Sequence, residues 1–235
     1  MENPWKYLGS EEGALILPCD RAAIDRYNRS QKGAITTVST ELVPAPFVGN
    51  PESARLVLLA LNPGHLEEDV RDHRDPRFRE AELLNLKHDL VDYPFYPLNP
   101  AFRHTGAGQW WNTILRPLKR ASRLNDDVLS RMLMVIEWFP YHSEKSGLPK
   151  KRICESQEYS LFLAKQMLNK DRAIVLGMRS KAHWLSSDAG FYSVPFLKNK
   201  QRPFISKGNM DEGLFEKILE LLYQGTDPTT GGKSI

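Results

Sequence analysis

Two uninterrupted apolar runs dominate this chain, Arg55–Leu61 (RLVLLAL) and Met132–Trp138 (MLMVIEW). Each has the length of a strand, and each stops at a breaker: Asn62-Pro63-Gly64 after the first, Phe139-Pro140 after the second. A strand that is apolar on both faces is covered on both faces, which calls for a sheet held between two layers of helices. A shorter run, Ala173–Leu176 (AIVL), precedes Gly177, and Phe191–Leu197 alternates as a fourth strand candidate. Helical segments lie between them. Asp75-Pro76 supplies a cap and a first-turn proline for a helix over Arg77–Asp89. Gln109–Arg120 sets Trp110, Trp111, Ile114, Leu115 and Leu118 at helical spacing, as core, with Pro117 due to kink or shorten the helix. Glu155–Leu168, Arg179–Leu185 and Asp211–Tyr223 follow, the last stopped by Gly225. Connections this long exclude hairpins. The fold predicted is three-layer α/β, a four-stranded parallel sheet with helices on both faces and right-handed crossovers.

A length of 235 residues suits one domain. Residues 1–50 are irregular, with Pro4, Pro18, Pro44 and Pro46 and one helix expected over Asp20–Arg29 with Asp20 as N-cap. They read as an arm packed on a main domain of residues 51–225, and the polar tail 226–235 is expected to fray. Hydrophobic residues at 41% and charged residues at 26% exclude wholesale disorder and fibrous repeats. Lys and Arg number 32 against 29 Asp and Glu, an excess too small to identify a nucleic-acid binder by itself. No run approaches the roughly 20 apolar residues of a membrane span, and the first residues lack the basic-then-apolar pattern of a secretion signal. A cytoplasmic monomer without membrane association is the expectation.

Cys19 and Cys154 are the only cysteines, which excludes a disulfide framework, a four-cysteine zinc site and a four-cysteine iron–sulfur cluster. His65, Asp69 and His73 recur every four residues, a spacing that can hold a metal on a helix face. The charge density around them and Pro76 favour a solvated segment instead, as for Glu67-Glu68-Asp69, and no metal or organic cofactor is expected. Gly231-Gly232-Lys233-Ser234 imitates the end of a P-loop, but Asp227 occupies the position of its first glycine. There is neither a GxGxxG nor a GxSxG.

In a parallel sheet, ligands bind beyond the carboxyl ends of the strands. Those ends are Asn62-Pro63-Gly64, Phe139–Ser143, Gly177-Met178-Arg179 and Lys198-Asn199-Lys200. Asn-Pro-Gly is a good turn on its own account, and it is also one whose backbone admits a ligand closely while Asn62 projects at the strand end. Lys198, Lys200, Arg202 and Lys207 form one basic loop with no acid among them, and Lys150, Lys151 and Arg152 form another. Each is either a set of solvated lysines and arginines or part of a phosphate-tracking surface. Ser206-Lys207-Gly208-Asn209 ahead of the last helix offers a cap, or backbone N–H groups for a phosphate.

Ala60-Leu61-Asn62-Pro63-Gly64 resembles the first motif of the uracil-DNA glycosylase superfamily, closest to its mismatch-specific and single-strand-selective branches. VIEWFPYHS (Val135–Ser143) is similar to the second-strand segment of that family, and AIVLGMRSKA (Ala173–Ala182) to its third strand and following helix. The resemblance runs in order over about residues 55–223. It implies a base-flipping DNA glycosylase that needs no cofactor, works in DNA repair or on modified bases, and hydrolyses the N-glycosidic bond of an extruded base. Carried over by motif position, Asn62 orients the attacking water, and Pro63 and Gly64 approach the sugar-phosphate. Asn199 stands where the second catalytic motif belongs, although the Pro-Ser that follows in the family is absent here. Phe95 or Tyr96 would stack on the base, with ordinary packing as the alternative. Glu137 lies near the family's base-reading asparagine. Unless protonated it only accepts hydrogen bonds, which suits an amino group better than a uracil carbonyl. His142 is either a donor to base or phosphate or a satisfied histidine. Lys200, Arg202, Ser206 and Lys207 would hold phosphates. Two other functions fit the same residues: a catalytically silent nucleic-acid or nucleotide recognition module, and a nucleoside hydrolase.

Overall fold

The computed structural model describes residues 1–8, 15–31, 33, 36–145 and 147–225. The strands are β1 (Phe47–Gly49), β2 (Leu56–Ala60), β3 (Leu133–Glu137) and β4 (Ile174–Gly177). They form one sheet in the order β1-β3-β2-β4. β2 pairs in parallel with β3 (Leu58 opposite Val135) and with β4 (Leu58 opposite Leu176), while β1 runs antiparallel to β3, with Phe47 opposite Ile136. The sheet is therefore mixed, which corrects the all-parallel expectation. Three of the four predicted strands are present. The fourth, Phe191–Leu197, is a 3-10 turn over Ala189–Ser193 followed by a single bridge from Phe196 to Gly177. Its buried residues are Phe191, Val194 and Leu197, spaced by three, the period of a 3-10 turn and not the alternation of a strand. Pro195 also removes a ladder donor.

The missing fourth strand comes from the arm. β1 follows Pro44 and Pro46 and holds an edge, where prolines are tolerated. Gly49 ends it at φ +112, and a Cβ there would lie 2.4 Å from the Leu133 carbonyl oxygen. Only glycine fits so close to β3 in that conformation.

Side chains of alternate strand residues feed two cores. Phe47, Val57, Leu59, Met134, Ile136 and Val175 face one side, against α1 (Pro18–Ser30), α7 (Gln157–Leu168) and α8 (Lys181–Ser187). Val48, Leu56, Leu58, Leu133, Val135 and Leu176 face the other, with α3 (Pro76–Leu86), α4 (Gly106–Ile114), α5 (Arg116–Ser122), α6 (Asp126–Met132) and α9 (Leu214–Gln224). A short helix, α2 (Glu67–Asp72), follows the Asn-Pro-Gly turn. Among the described residues, no helix is long and apolar enough to cross a membrane.

Several local expectations hold. Asp75 caps α3 by accepting from the Arg77 N–H, and Pro117 divides the expected single helix into α4 and α5. Asp20 does not cap α1. The helix begins at Pro18, and the fully buried Asp20 carboxylate accepts from the Ser156 N–H (3.0 Å) and the Tyr141 hydroxyl (2.7 Å). Trp5, Ile16, Leu17, Ile24, Tyr27 and Val38 belong to the first core, so the arm is built into the domain. The tail 226–235, with its P-loop-like residues, lies outside the described residues.

Candidate functional site

β2, β3 and β4 end on the same side of the sheet, and the chain beyond them is stitched together. Trp138 N–H donates to the Ala60 carbonyl, Phe139 N–H to Leu61 and Met178 N–H to Leu59, carrying the parallel ladder past the strands. The next residues hold the Asn-Pro-Gly turn. Asn62 Nδ2 donates to Ser143 Oγ at 2.9 Å and to the Pro63 carbonyl at 3.0 Å. Ser143 N–H reaches the same Pro63 carbonyl at 3.3 Å. Both amide protons of Asn62 are thereby committed, and its Oδ1 has no partner among the described residues. At Gly64 an added Cβ would meet nothing within 4 Å, so the fold leaves open space in front of the turn.

His142 braces this turn from behind. Its Nδ1 lies 2.6 Å from the Gly64 carbonyl and its Nε2 2.9 Å from the Val43 carbonyl. Burial, with His73 and His65 nearby, pushes it down to about 4 despite the two carbonyls, so the ring is neutral at pH 7. It is occupied by the backbone and is not a free donor to a ligand. His73 meets its edge at 5.8 Å between ring centroids and faces Glu82 at 3.0 Å. Burial raises Glu82, and His73 is raised as well by Glu82 and the Asp69 carbonyl, which outweigh its burial; the pair keeps a proton between its partners. The histidine-acid spacing read as a metal pattern resolves otherwise. His73 Nδ1 meets the Asp69 carbonyl at 2.8 Å, and Asp69 Oδ2 accepts from the Leu66 N–H. No group of three such side chains that could hold a metal is present among the described residues.

Glu137 closes β3 opposite Ala60 and on the same face as Val135. Only 8% of its surface is exposed, and Oε2 is buried without a hydrogen-bond partner among the described residues. Burial pushes the carboxyl up to about 8, and Arg179 is the one charge that lowers it. Arg179 stands just past β4, its Nε also buried and unpartnered, and its guanidinium lies over the Trp110 ring at 5.3 Å.

The two proposed stacking residues are interior. Phe95 is 0% exposed and edges Trp111 at 5.0 Å; Tyr96 is 4% exposed and edges Phe78. Neither presents a ring face to solvent. Trp110, by contrast, is 42% exposed, which corrects its reading as core. Trp111, Ile114, Leu115 and Leu118 share one helical face at i, i+3, i+4 and i+7, and Trp110 falls about 100° off it. That offset was the available signal.

Asn199 is exposed at a turn. Its Oδ1 accepts from the Gln201 and Arg202 N–H groups, and its own N–H donates to Asn209 Oδ1 at 2.7 Å. Asn209 Nδ2 returns to the carbonyls of Arg202 and Phe204. The basic loop is thus closed by its two asparagines. Lys200 and Arg202 reach solvent without an ion pair among the described residues, whereas Lys207 pairs with Glu216 at 2.5 Å and Lys198 with Asp211 at 3.9 Å. Residues 207–209 form a separate 3-10 turn, and α9 starts only at Leu214, so they do not form that helix's N-terminus. Ser206 instead lines an open cleft of about 580 Å³ with Phe204, Arg116 and Arg120. Those two arginines, four apart on α5, belong to a basic stretch, Arg116, Lys119, Arg120 and Arg123, that escaped notice because Gln109–Arg120 drew attention by its apolar positions. In the other basic segment Arg152 pairs with Glu158, and Lys150 and Lys151 are exposed.

No family model matches the chain, and neither a curated protein nor a solved structure matches it.

Proposed function

We propose that this protein is a base-flipping N-glycosidase of the DNA glycosylase type, with the site at the carboxyl ends of β2, β3 and β4. The observation that carries the reading is the Asn62 amide. Its two protons are spent on Ser143 and Pro63, which leaves Oδ1 as an uncommitted acceptor able to orient a water for attack on an anomeric carbon. An amide is no general base, so it acts by orientation, while the sugar in such a transition state carries the developing positive charge. The open space at Gly64 lets a sugar-phosphate approach the turn. Lys200 and Arg202, with Arg116 and Arg120 at the cleft, supply phosphate contacts. The Asn-Pro-Gly motif and the segments resembling uracil-DNA glycosylases support the same reading from the sequence.

The catalytically silent recognition module is favoured by one observation. Asn199, the second expected catalytic residue, has its Oδ1 committed to its own turn. The two readings part in one experiment. Oligonucleotides bearing uracil, hypoxanthine, mismatched thymine or modified cytosines, single- and double-stranded, are incubated with the protein, and alkali reveals abasic sites. The glycosylase reading expects cleavage of at least one substrate, reduced about 100-fold or more in the Asn62→Ala protein. Binding without cleavage across the panel makes the recognition module the correct reading.

A further inference from the structure

The open cleft between α5 and the loop after β4 carries two positive charges with no counterion among the described residues. Arg116, Pro117, Arg120 and Ala121 form one wall, and Phe204 and Ser206 the other. The volume between them is about 580 Å³, inside the roughly 300–1,000 Å³ of a small-ligand site. None of Asn62, Gly64, His142 and Ser143 lines it, so it shares no wall with the Asn-Pro-Gly turn. Asp126 is taken by Lys119 and Arg103, whereas Arg116 and Arg120 are exposed and form no ion pair or side-chain hydrogen bond among the described residues. Like charges four apart on a helix repel, and an anion between them reverses that cost. Guanidinium groups suit phosphate in particular, which they grip through paired N–H donors.

The rest of the cleft specifies what the phosphate is attached to. Phe204 is packed against the second core and, with Pro117 and Ala121, gives the cleft an apolar side. The backbone of both walls is already used. Phe204 N–H donates to the Arg202 carbonyl and Ile205 N–H to the Ile114 carbonyl. The carbonyls of Arg202 and Phe204 accept from Asn209 Nδ2, and those of Ala121 and Ser122 from the Tyr223 hydroxyl. A peptide laid in the cleft would find few main-chain partners. A nucleotide needs none, because side chains hold its phosphate and an aromatic ring carries its base. The same bonds fix both walls in place, which lowers the ordering cost of binding.

We infer that this cleft is a nucleotide-binding site, with the phosphate bridging Arg116 and Arg120, the base against Phe204 and the Ser206 hydroxyl as a further polar contact. It goes beyond the glycosidase reading and requires no bond cleavage. The nucleotide is either free or one unit of a nucleic-acid strand, and the chemistry that holds it is the same.

Isothermal titration calorimetry at low salt, on the full chain, compares deoxyadenosine 5′-monophosphate with deoxyadenosine, inorganic phosphate and a single-stranded tetramer of deoxyadenosine. The monophosphate should bind at least about tenfold more tightly than the nucleoside or phosphate alone. Arg116→Gln and Arg120→Gln should each weaken it about tenfold. Phe204→Leu, which keeps an apolar side chain against the core, should weaken it about fivefold and leave phosphate binding unchanged. A tetramer bound at least about tenfold more tightly than the monophosphate, and weakened by the same three substitutions, identifies a strand as the source; any other tetramer result identifies a free nucleotide. Nucleoside or phosphate binding equal to that of the monophosphate would overturn the inference, as would native affinity in any of the three variants. So would a loss of affinity in Asn62→Ala in place of the arginine variants, or no binding of the monophosphate. Monophosphate binding by a protein that cleaves nothing upholds the cleft and removes the activity, and cleavage without monophosphate binding does the reverse.

Discussion

The His142 ring stands between two backbone carbonyls, Gly64 at 2.6 Å and Val43 at 2.9 Å, with a single proton to share between them at neutral pH. It couples the turn that carries Asn62 to the arm that precedes β1. Because burial lowers its folded value to about 4 from the ordinary 6.5, the unfolded chain takes up a proton first as the pH falls. The histidine's contribution to stability is complete above about pH 6.5, declines between there and about pH 4, and is gone below. It amounts to no more than about 3 kcal/mol. Urea unfolding at pH 7 and pH 5 should show the native protein losing more stability on acidification than His142→Gln, and equal losses in the two would contradict the assignment.

Ser143 is expected to matter for activity more than for folding. Ser143→Ala removes the acceptor that fixes one Asn62 proton and leaves the Pro63 contact, so the amide can rotate. Single-turnover cleavage should slow about tenfold or more, with stability changed by no more than about 1 kcal/mol. An unchanged rate would mean that the Pro63 carbonyl alone orients the amide.

Lys200 and Arg202 are exposed and form no ion pair among the described residues, unlike Lys207, which is held by Glu216. Alanine at either of the first two should weaken DNA binding and lower the slope of log affinity against log salt by just under about 1. Lys207→Ala should alter the slope less. Anisotropy titrations from low to moderate salt measure all three.

Gly49→Ala tests the unexpected strand. The positive φ, and the 2.4 Å that would separate an alanine Cβ from the Leu133 carbonyl oxygen, predict a loss of about 3 kcal/mol or more in urea unfolding. A neutral outcome would mean that β1 can draw away from β3.

The sequence displayed the central layer because its strands are apolar on both faces, and RLVLLAL and MLMVIEW admit little else. β1 was hidden by its shortness and by the prolines before it, since three residues make no periodic pattern. The last apolar stretch misled because Phe191, Val194 and Leu197 mimic alternation while following a period of three. Asn62 was legible from its place at a strand end. Arg179 lay in a loop already assigned to the site, but its contact with Trp110 depends on how β4 and α4 meet, which no local pattern encodes. Phe95 and Tyr96 had the right residue type; only burial revealed that their rings are spent on the core.

The direction of β1 has a consequence for how this molecule can be shortened. Running against its neighbours, it must be entered from the end of the sheet where the other strands leave. The chain before it therefore crosses that rim, pairing Ser39 with His142 and Ala45 with Pro140 on the way. A fragment beginning at residue 51 would keep three strands of the sheet and lose the backbone that braces Pro140 and His142, so the arm supports the candidate site as directly as the strand-end loops do.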